Sequence, residues 1–487
     1  MDRLSTVDSS FLRVETPTAH MHVGWLSFVE LPSGVDRLDG RLLKARIAAR
    51  LHLAPRFRQR VVKLPLSATD PVWDDAADFE IGRHVRISRA QRQLSAPDAR
   101  AEADEFLSRP LDRDHPLWQI LVIPRVRGGR AALVGKVHHA MVDGVAAVEL
   151  GMLMFDVGEQ QQPSSVEWSP APSQGALRLT IDSLADSALE QFRAARRMVW
   201  RSPAQTVRVA DTMRRAAFSL VEDAIHPAPP SYLNPPIGSR RTLVGHRMEL
   251  RRLLAVKRHH DATLNDVVLT VCTGVLRGFA LRHGEEPHDL RVMVPVNVRE
   301  RTDPQAQGNR ISFAFFDLPV AEPSARDRLA QVIERMAEVK ESGRIGGTAA
   351  LLRGVGGLPE PLKERAARLA VSPRLYNLTV SNVPGPRVPL YAAGARVQSI
   401  YPVIPIADRH ALAVGVLTYD GYAHFGVYAD PEALPRVHGL PVNFEDALLE
   451  LELISGHRGP IDARRQRRGS TASMRSTRPR DGAASER

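Results

Sequence analysis

Two adjacent imidazoles with a carboxylate four residues on are the part of this sequence best equipped for chemistry. They sit in Gly135-Lys136-Val137-His138-His139-Ala140-Met141-Val142-Asp143-Gly144. A neutral imidazole titrates near about pH 6.5, so it can take a proton from an alcohol or thiol as that group attacks a carbonyl. Two other readings of the same residues stand beside this one. His139 and Asp143 could share one face of a metal site, but no neighbouring cluster of His, Cys or carboxylate supplies the remaining ligands that zinc takes. Alternatively, Asp143 only caps a helix and the histidines are partly buried structural residues.

The elements that position the pair are legible around it. The apolar run 131–137 reads as a buried strand that stops at the histidines. Asp143 stands where an N-cap belongs, ahead of an Ala/Val/Leu-rich segment, 145–155, with helical spacing. Upstream, 21–28 alternates as a strand does, and His20 and His22 read as ordinary residues of it. An amphipathic helix follows through Leu38, Leu42, Leu43, Ile47 and Leu51, ending before Pro55. A strand at 57–64 and a helix at 98–107 come next. The segment Pro110-Leu111-Asp112-Arg113-Asp114-His115-Pro116-Leu117-Trp118 is a loop feeding a strand at 119–122, with the Trp packed beneath it.

Beyond residue 158 the composition changes. Gln, Pro and Ser dominate 158–174, which reads as a linker. The stretch 176–224 is helical and carries Arg193, Arg196, Arg197, Arg214 and Arg215. It suits either a solvated crossover helix or one lying on an anionic bilayer. A proline-rich stretch, 226–236, closes the connection. Thr263-Leu264-Asn265-Asp266 then opens a helix, with Thr263 as N-cap and Asp266 placed to return a hydrogen bond. Cys272 sits two turns along it as a core filler. Strands are expected at 291–299, 311–319 and 377–383, a hairpin around Asp420-Gly421, and a last helix at 441–454. The glycines of 343–347 lack the lysine and the preceding strand of a phosphate loop. The tail 456–487 is basic and nearly devoid of large apolar residues, so it is expected to be disordered.

The chain of 487 residues, 43% apolar and 25% charged, is long enough for two domains. A single cysteine rules out an intrachain disulfide and points to a reducing, cytoplasmic setting. No apolar run of roughly 18 residues or more, as a membrane span needs, stands out. The net charge of +11 favours anionic partners such as acidic lipid surfaces or a phosphate-rich cosubstrate. No nucleic-acid module with interleaved aromatics is visible.

His138-His139-Ala140-Met141-Val142-Asp143-Gly144 resembles the HHxxxDG signature of the CoA-dependent acyltransferase superfamily. The rest of the chain is similar to its bacterial wax ester synthase/diacylglycerol acyltransferase branch. Pro110 to Trp118 looks like that family's PLDxxxPLW block, and Phe79 to Arg86 its FDLxxHVR segment with Glu80 for Asp. Asn234 to Arg241 resembles NxxIGxxR, Asn265-Asp266 the ND motif, and Ser381 to Pro386 SNVPGP. The matching blocks span about residues 1 to 455, in order.

The resemblance implies an α/β fold of two chloramphenicol-acetyltransferase-like domains with mixed sheets and an active-site channel at their interface. The domains are taken as 1–157 and 238–455, joined by a linker at 158–237 and followed by the tail. It implies transfer of a long-chain acyl group from acyl-CoA, a cosubstrate rather than a bound cofactor, to the hydroxyl of diacylglycerol. A long-chain alcohol is the alternative acceptor. A catalytically silent lipid-binding relative and an enzyme fed by carrier-bound acyl chains are contrasting readings. His139 is expected to be the general base, with His138 in support because neighbouring side chains leave a strand in opposite directions. Asp143 is expected to hold the loop, and Asn265 to donate to the oxyanion. Gly144, Pro116, Leu117, Trp118, Asp266, Ser381 and Asn382 are expected to line the substrate, with no metal. The basic tail, through Arg464, Arg465, Arg467 and Arg468, is expected to help the enzyme meet a membrane or lipid-droplet surface peripherally.

Overall fold

The computed structural model describes residues 3–64, 70–141, 151, 153–158, 170, 227–297, 311–341 and 360–456. Asp143, Gly144, the arginine-bearing stretch 176–224, the glycines of 343–347 and the basic tail lie outside the described residues. The first half runs α1 (Thr6–Val14), β1 (His22–Glu30), α2 (Gly40–Arg50), β2 (Gln59–Val62), β3 (Val72–Asp75), α3 (Ile81–His84), β4 (Val85–Ile87), α4 (Ala96–Ser108), β5 (Trp118–Val126) and β6 (Arg130–His138). The second runs β7 (Thr242–Glu249), α5 (Leu250–His259), α6 (Leu264–Arg282), β8 (Leu290–Asn297), β9 (Ile311–Leu318), α7 (Ala325–Glu341), α8 (Glu360–Ala370), β10 (Leu378–Pro384), β11 (Tyr391–Ala392), β12 (Ala395–Val403), β13 (Leu412–Tyr419), β14 (Tyr422–Ala429) and α9 (Leu440–Ile454).

Two six-stranded mixed sheets organise these elements. The first has the order β11-β12-β1-β6-β5-β4 and the second β7-β14-β13-β10-β8-β9. In the first, only β4 and β5 are parallel; in the second, β10 runs parallel to both β13 and β8. The sheets do not respect the halves of the sequence. Strands β11 and β12 come from the segment assigned to the second domain, yet β12 pairs antiparallel with β1, Gly24 opposite Val403 and Glu30 opposite Arg396. Residues 391–403 therefore belong to the first sheet, and a cut at 238 divides the chain but not the fold.

The strand that ends at His138 is apolar from Ala131 to Gly135 because both its faces are covered. Ala132 and Val134 of β6 pack into one core with Ala99, Ala103 and Phe106 of α4 and with much of the second half. Ala131, Leu133 and Val137 pack into another with Leu43 and Ile47 of α2. A strand buried on both faces has no polar alternation. Even-numbered residues, ending with Lys136 and His138, thus face α4 and the second half.

Polar ties bridge the halves beside that face. Thr242 donates through Oγ1 to Asp104 at 2.6 Å, and the Leu243 N–H to the same carboxylate at 2.9 Å. The Arg241 N–H donates to Ser108 Oγ at 2.8 Å, and its buried guanidinium reaches the Thr18 carbonyl. Arg241 is the last residue of the Asn234–Arg241 block. Asn234, its first, donates to the carbonyls of Asn377 and Arg409. That block is therefore a fastener between loops.

Among the described residues, α6 is the one helix long and apolar enough to cross a membrane. In this structure it is a core helix, most of it buried. Val267, Val268, Val271, Val275 and Phe279 are buried, and the helix packs against α7 and α9. Thr263 and Asp266 close both hydrogen bonds of a capping box at its start. Cys272 is buried in the same core, where burial pushes its thiol up to about 12.

Candidate active site

His138 is the last residue of β6, opposite His22 of β1. Its N–H donates to the Leu117 carbonyl at 2.9 Å, so the Pro110–Trp118 loop sets where the strand ends. The chain then turns at once into one short helical turn, His139–Met141. Two contacts hold that turn. The Ala140 N–H donates to His138 Nδ1 at 3.0 Å, and the His139 N–H to the Met21 carbonyl at 2.9 Å. Met21 sits at φ 47, in the left-handed region that a bulky side chain enters at a cost of about 1–2 kcal/mol. The strain occurs where a buried carbonyl must turn toward the turn holding His139.

His139 is fixed from the side as well. The Phe11 ring of α1 stacks on its imidazole, centroids 3.8 Å apart and planes inclined by 17°. The His139 Nδ1 is buried without a hydrogen-bond partner among the described residues. A proton held at Nδ1 leaves Nε2 as the basic nitrogen, which is the geometry a general base needs. Burial pushes His139 down to about 4 and His138 to about 3, with the Arg113 charge adding to the effect on His138. Both rings are accordingly neutral at physiological pH.

The face beneath the pair is crowded with titratable groups. His20 and His22, expected to be ordinary strand residues, are both buried. Their rings lie 5.5 Å apart, and that of His22 is 6.4 Å from His138. Burial and the nearby Lys136 hold His22 well below its usual range. Lys136 is buried too, and burial lowers its ammonium to about 7. It donates to the carbonyls of Phe106 at 2.7 Å and Arg109 at 2.6 Å, at the C-terminus of α4. Cations suit that end of a helix. The lysine thereby ties α4 to β6 two residues before His138.

The expected substrate-lining residues divide in two. Pro116, Leu117 and Trp118 are buried, and Trp118 has no free face for a ligand. Its ring stacks on His84 at 4.7 Å and meets Phe57 edge-on at 5.6 Å, while its indole N–H donates to the Phe57 carbonyl at 2.8 Å. His84 in turn stacks on Phe79 at 5.0 Å and hydrogen-bonds the Trp118 carbonyl at 2.8 Å. The Phe79–Arg86 and Pro110–Trp118 blocks are thus two halves of one aromatic stack that anchors β5 beside β6. Pro116, Leu117 and Trp118, expected to line the substrate, are buried in this packing. They are the packed support of the strand end.

Asp266 likewise spends one carboxylate oxygen on the capping box, taking the Thr263 N–H at 2.8 Å. Its other oxygen, Oδ1, is buried without a partner. Asn265, by contrast, is half-buried, and its Oδ1 accepts from Asn382 Nδ2 at 3.4 Å. Ser381, the neighbour of Asn382 on β10, is buried. Among the described residues no hydrogen bond joins either histidine to this Asn265–Asn382 pair. Phe11, Glu15, Met21 and Lys136 were not singled out from sequence as site residues. Ser5 and Asp8, which cap α1, were the one local sign that a helix would bring Phe11 and Glu15 here.

Two mixed sheets, the first completed by β11 and β12 from the second half and carrying a paired-histidine strand end, define a two-domain α/β fold. The wax ester synthase/diacylglycerol acyltransferase from Marinobacter aquaeolei VT8 shares it with a TM-score of 0.68 at 24% identity, over 94% of this chain and 100% of that one. The starter condensation domain of rhizomide synthetase, solved with C8-CoA, shares it at 0.55 and 15%, over 93% and 94%. The chain belongs to the wax ester synthase/diacylglycerol acyltransferase family. Its catalytic-domain model matches residues 4–268 and its C-terminal-domain model residues 307–452. A Mycobacterium tuberculosis chain named as a diacylglycerol O-acyltransferase is 31% identical over 474 residues, covering 93% of this chain and 90% of its own. The protein is accordingly an O-acyltransferase.

Proposed function

We propose that the chain transfers a long-chain acyl group from acyl-CoA to the hydroxyl of diacylglycerol, giving triacylglycerol and free CoA. The observation that carries this reading is the state of His139. Its ring is neutral, stacked on Phe11, and held in the turn that directly follows β6. Nε2 takes the hydroxyl proton as the alcohol oxygen attacks the thioester carbonyl. The C–S bond then breaks, and the imidazolium returns its proton to the departing thiolate, so no acyl-enzyme forms. A base placed in this way contributes on the order of a hundred- to ten-thousand-fold. The Asn265 amide, whose oxygen accepts from Asn382, is the donor assigned to the tetrahedral oxyanion. Asp143 is given the role of ordering the loop behind His139.

An acyl-CoA donor fits the condensation domain solved with C8-CoA, and a diacylglycerol acceptor fits the mycobacterial relative's name. The Marinobacter relative's name carries both activities, so a long-chain alcohol is the second acceptor to be tried. We place the reaction at the cytoplasmic surface of a membrane or lipid droplet, reached peripherally through the basic tail. Salt-sensitive vesicle binding lost on truncation after Ser455 tests that placement. The activity is tested with labelled palmitoyl-CoA offered to diacylglycerol and hexadecanol in parallel. Triacylglycerol should form, and His139→Ala should abolish it while acyl-CoA binding persists. More than about a tenth of wild-type turnover in His139→Ala would rule out the base assignment.

A further inference from the structure

The hydrogen bond from the Ala140 N–H to His138 Nδ1, at 3.0 Å, decides where the proton of His138 resides. A nitrogen that accepts carries no hydrogen, so the neutral ring is protonated at Nε2. That Nε2 is buried without a hydrogen-bond partner. The acid that faces it is Glu15, the residue that ends α1, with Oε2 at 3.7 Å. Glu15 is itself held in place. Arg113 donates to its Oε2 through Nε at 2.8 Å and again through Nη2, and also donates to the Leu12 carbonyl at 3.1 Å. The helix that ends in Glu15 is the one whose Phe11 stacks on His139.

We propose that Glu15 is a positioning residue for acyl transfer: it accepts the Nε2–H of His138 and thereby fixes the turn that presents His139. In the other tautomer, His138 would aim an Nδ1–H at the Ala140 N–H, two donors would meet, and the turn would open. The 3.7 Å gap exceeds an N–H···O bond by less than about 1 Å, and such contacts commonly tighten when substrate binds. Rotation of the Glu15 side chain, with Arg113 following, closes it. Arg113 lies in the Pro110–Trp118 loop, so that block serves the histidines from two sides, through the Leu117 carbonyl and through Glu15.

The inference rests on His139 as the base of an acyl transfer, so its test has one readout that needs no turnover. Glu15→Gln keeps an accepting oxygen, and Glu15→Leu removes it. Glu15→Leu with Arg113→Met covers the case in which an unpaired guanidinium unfolds the single variant. Loss of the acceptor should lower kcat with palmitoyl-CoA roughly ten- to a hundred-fold, as loss of the partner that orients a working imidazole does. KM should stay within about twofold and the melting temperature should hold, and Glu15→Gln should recover most of the rate. In a His138→Asn background, whose amide oxygen still accepts from Ala140, the Leu and Gln variants should no longer differ.

Nitrogen-15 histidine spectra should show His138 as the Nε2–H tautomer in the wild type and as a mixture in Glu15→Leu. An unchanged kcat, an equal loss in the His138→Asn background, or an Nδ1–H wild-type ring would each overturn the proposal. A wild type that transfers no acyl group at all would count against the proposed function instead, while the spectra still judge Glu15.

Discussion

Burial of His139 should appear directly in the pH dependence of the enzyme. The ring is held at about 4 by desolvation alone among its larger causes. An ordinary histidine titrates near about 6.5, so the shift corresponds to about 3 kcal/mol against the charged ring. The acid limb of kcat/KM reports the free enzyme's essential base. At pH 5 a base of about 4 is still about nine-tenths neutral, whereas one of about 6.5 is neutral in roughly one molecule in thirty. Initial rates from pH 4.5 to 8, with melting followed at each pH, should therefore stay nearly flat down to about 5 in the wild type.

Phe11 supplies part of the desolvation, since its ring covers one face of the imidazole at 3.8 Å. Phe11→Ala should let water reach that face and move the acid limb up toward about 6, with its plateau at pH 8 less affected. The sign is fixed: the protonated ring cannot accept a proton, so a raised pKa removes activity from the acid side. Phe11→Leu keeps bulk without the stack and should fall between. A wild-type limb near 6.5, or no movement in Phe11→Ala, would refute the claim that burial keeps this base neutral.

Two predictions concern the scaffold. Gly135 lies opposite Trp25, and a Cβ there would enter the indole, so Gly135→Ala should cost at least about 1–3 kcal/mol by chemical denaturation. A Trp25→Leu partner substitution should recover much of the loss, and equal losses in both backgrounds would show that another contact is at fault. His424 is wholly buried, and burial, aided by the Arg247 charge, lowers it to about 4. The unfolded chain binds that proton below about 6.5 and the folded one does not, so stability falls as pH drops between those values, by up to about 3 kcal/mol. His424→Phe should flatten that decline in a melting-temperature series from pH 7 to 4.5, and an unchanged slope would place the acid sensitivity elsewhere.

What the sequence disclosed was whatever local pattern encodes. The apolar run before His138 needed no alternation because both faces are buried, and Thr263 and Asp266 announced the start of α6. The hairpin at Asp420-Gly421 formed as expected, both residues at positive φ, 45 and 79. What it did not disclose was pairing between distant segments. Strand β12, which contains Pro402, shows its role only when set beside β1, some 370 residues earlier in the chain. The register that puts His22 opposite His138 is of the same kind. Trp118 was legible as a packed residue of its loop, but not the partners that bury it, because Phe57 and His84 lie in separate segments.

That division explains how a short motif acquires its chemistry. The seven-residue signature supplies the imidazoles, but their protonation is set from outside it. Phe11 and Glu15 come from α1, Met21 from the head of β1, and Arg113 and Leu117 from one loop. Helix α1 is the common member, and it is anchored at its far side. Arg13 donates to Asp70 at 2.5 Å and to Glu360 of α8 at 2.6 Å, joining the first half to the second through a pair of carboxylates. Ion pairs this shielded are screened little by salt. A helix held on both faces can keep an aromatic ring over His139 and a carboxylate against His138 at once. The same covering that lowers the pKa of His139 limits water's access to it. With His139 as the proposed base, and water competing with an alcohol for the thioester, the covering that keeps the ring neutral also favours transfer over hydrolysis.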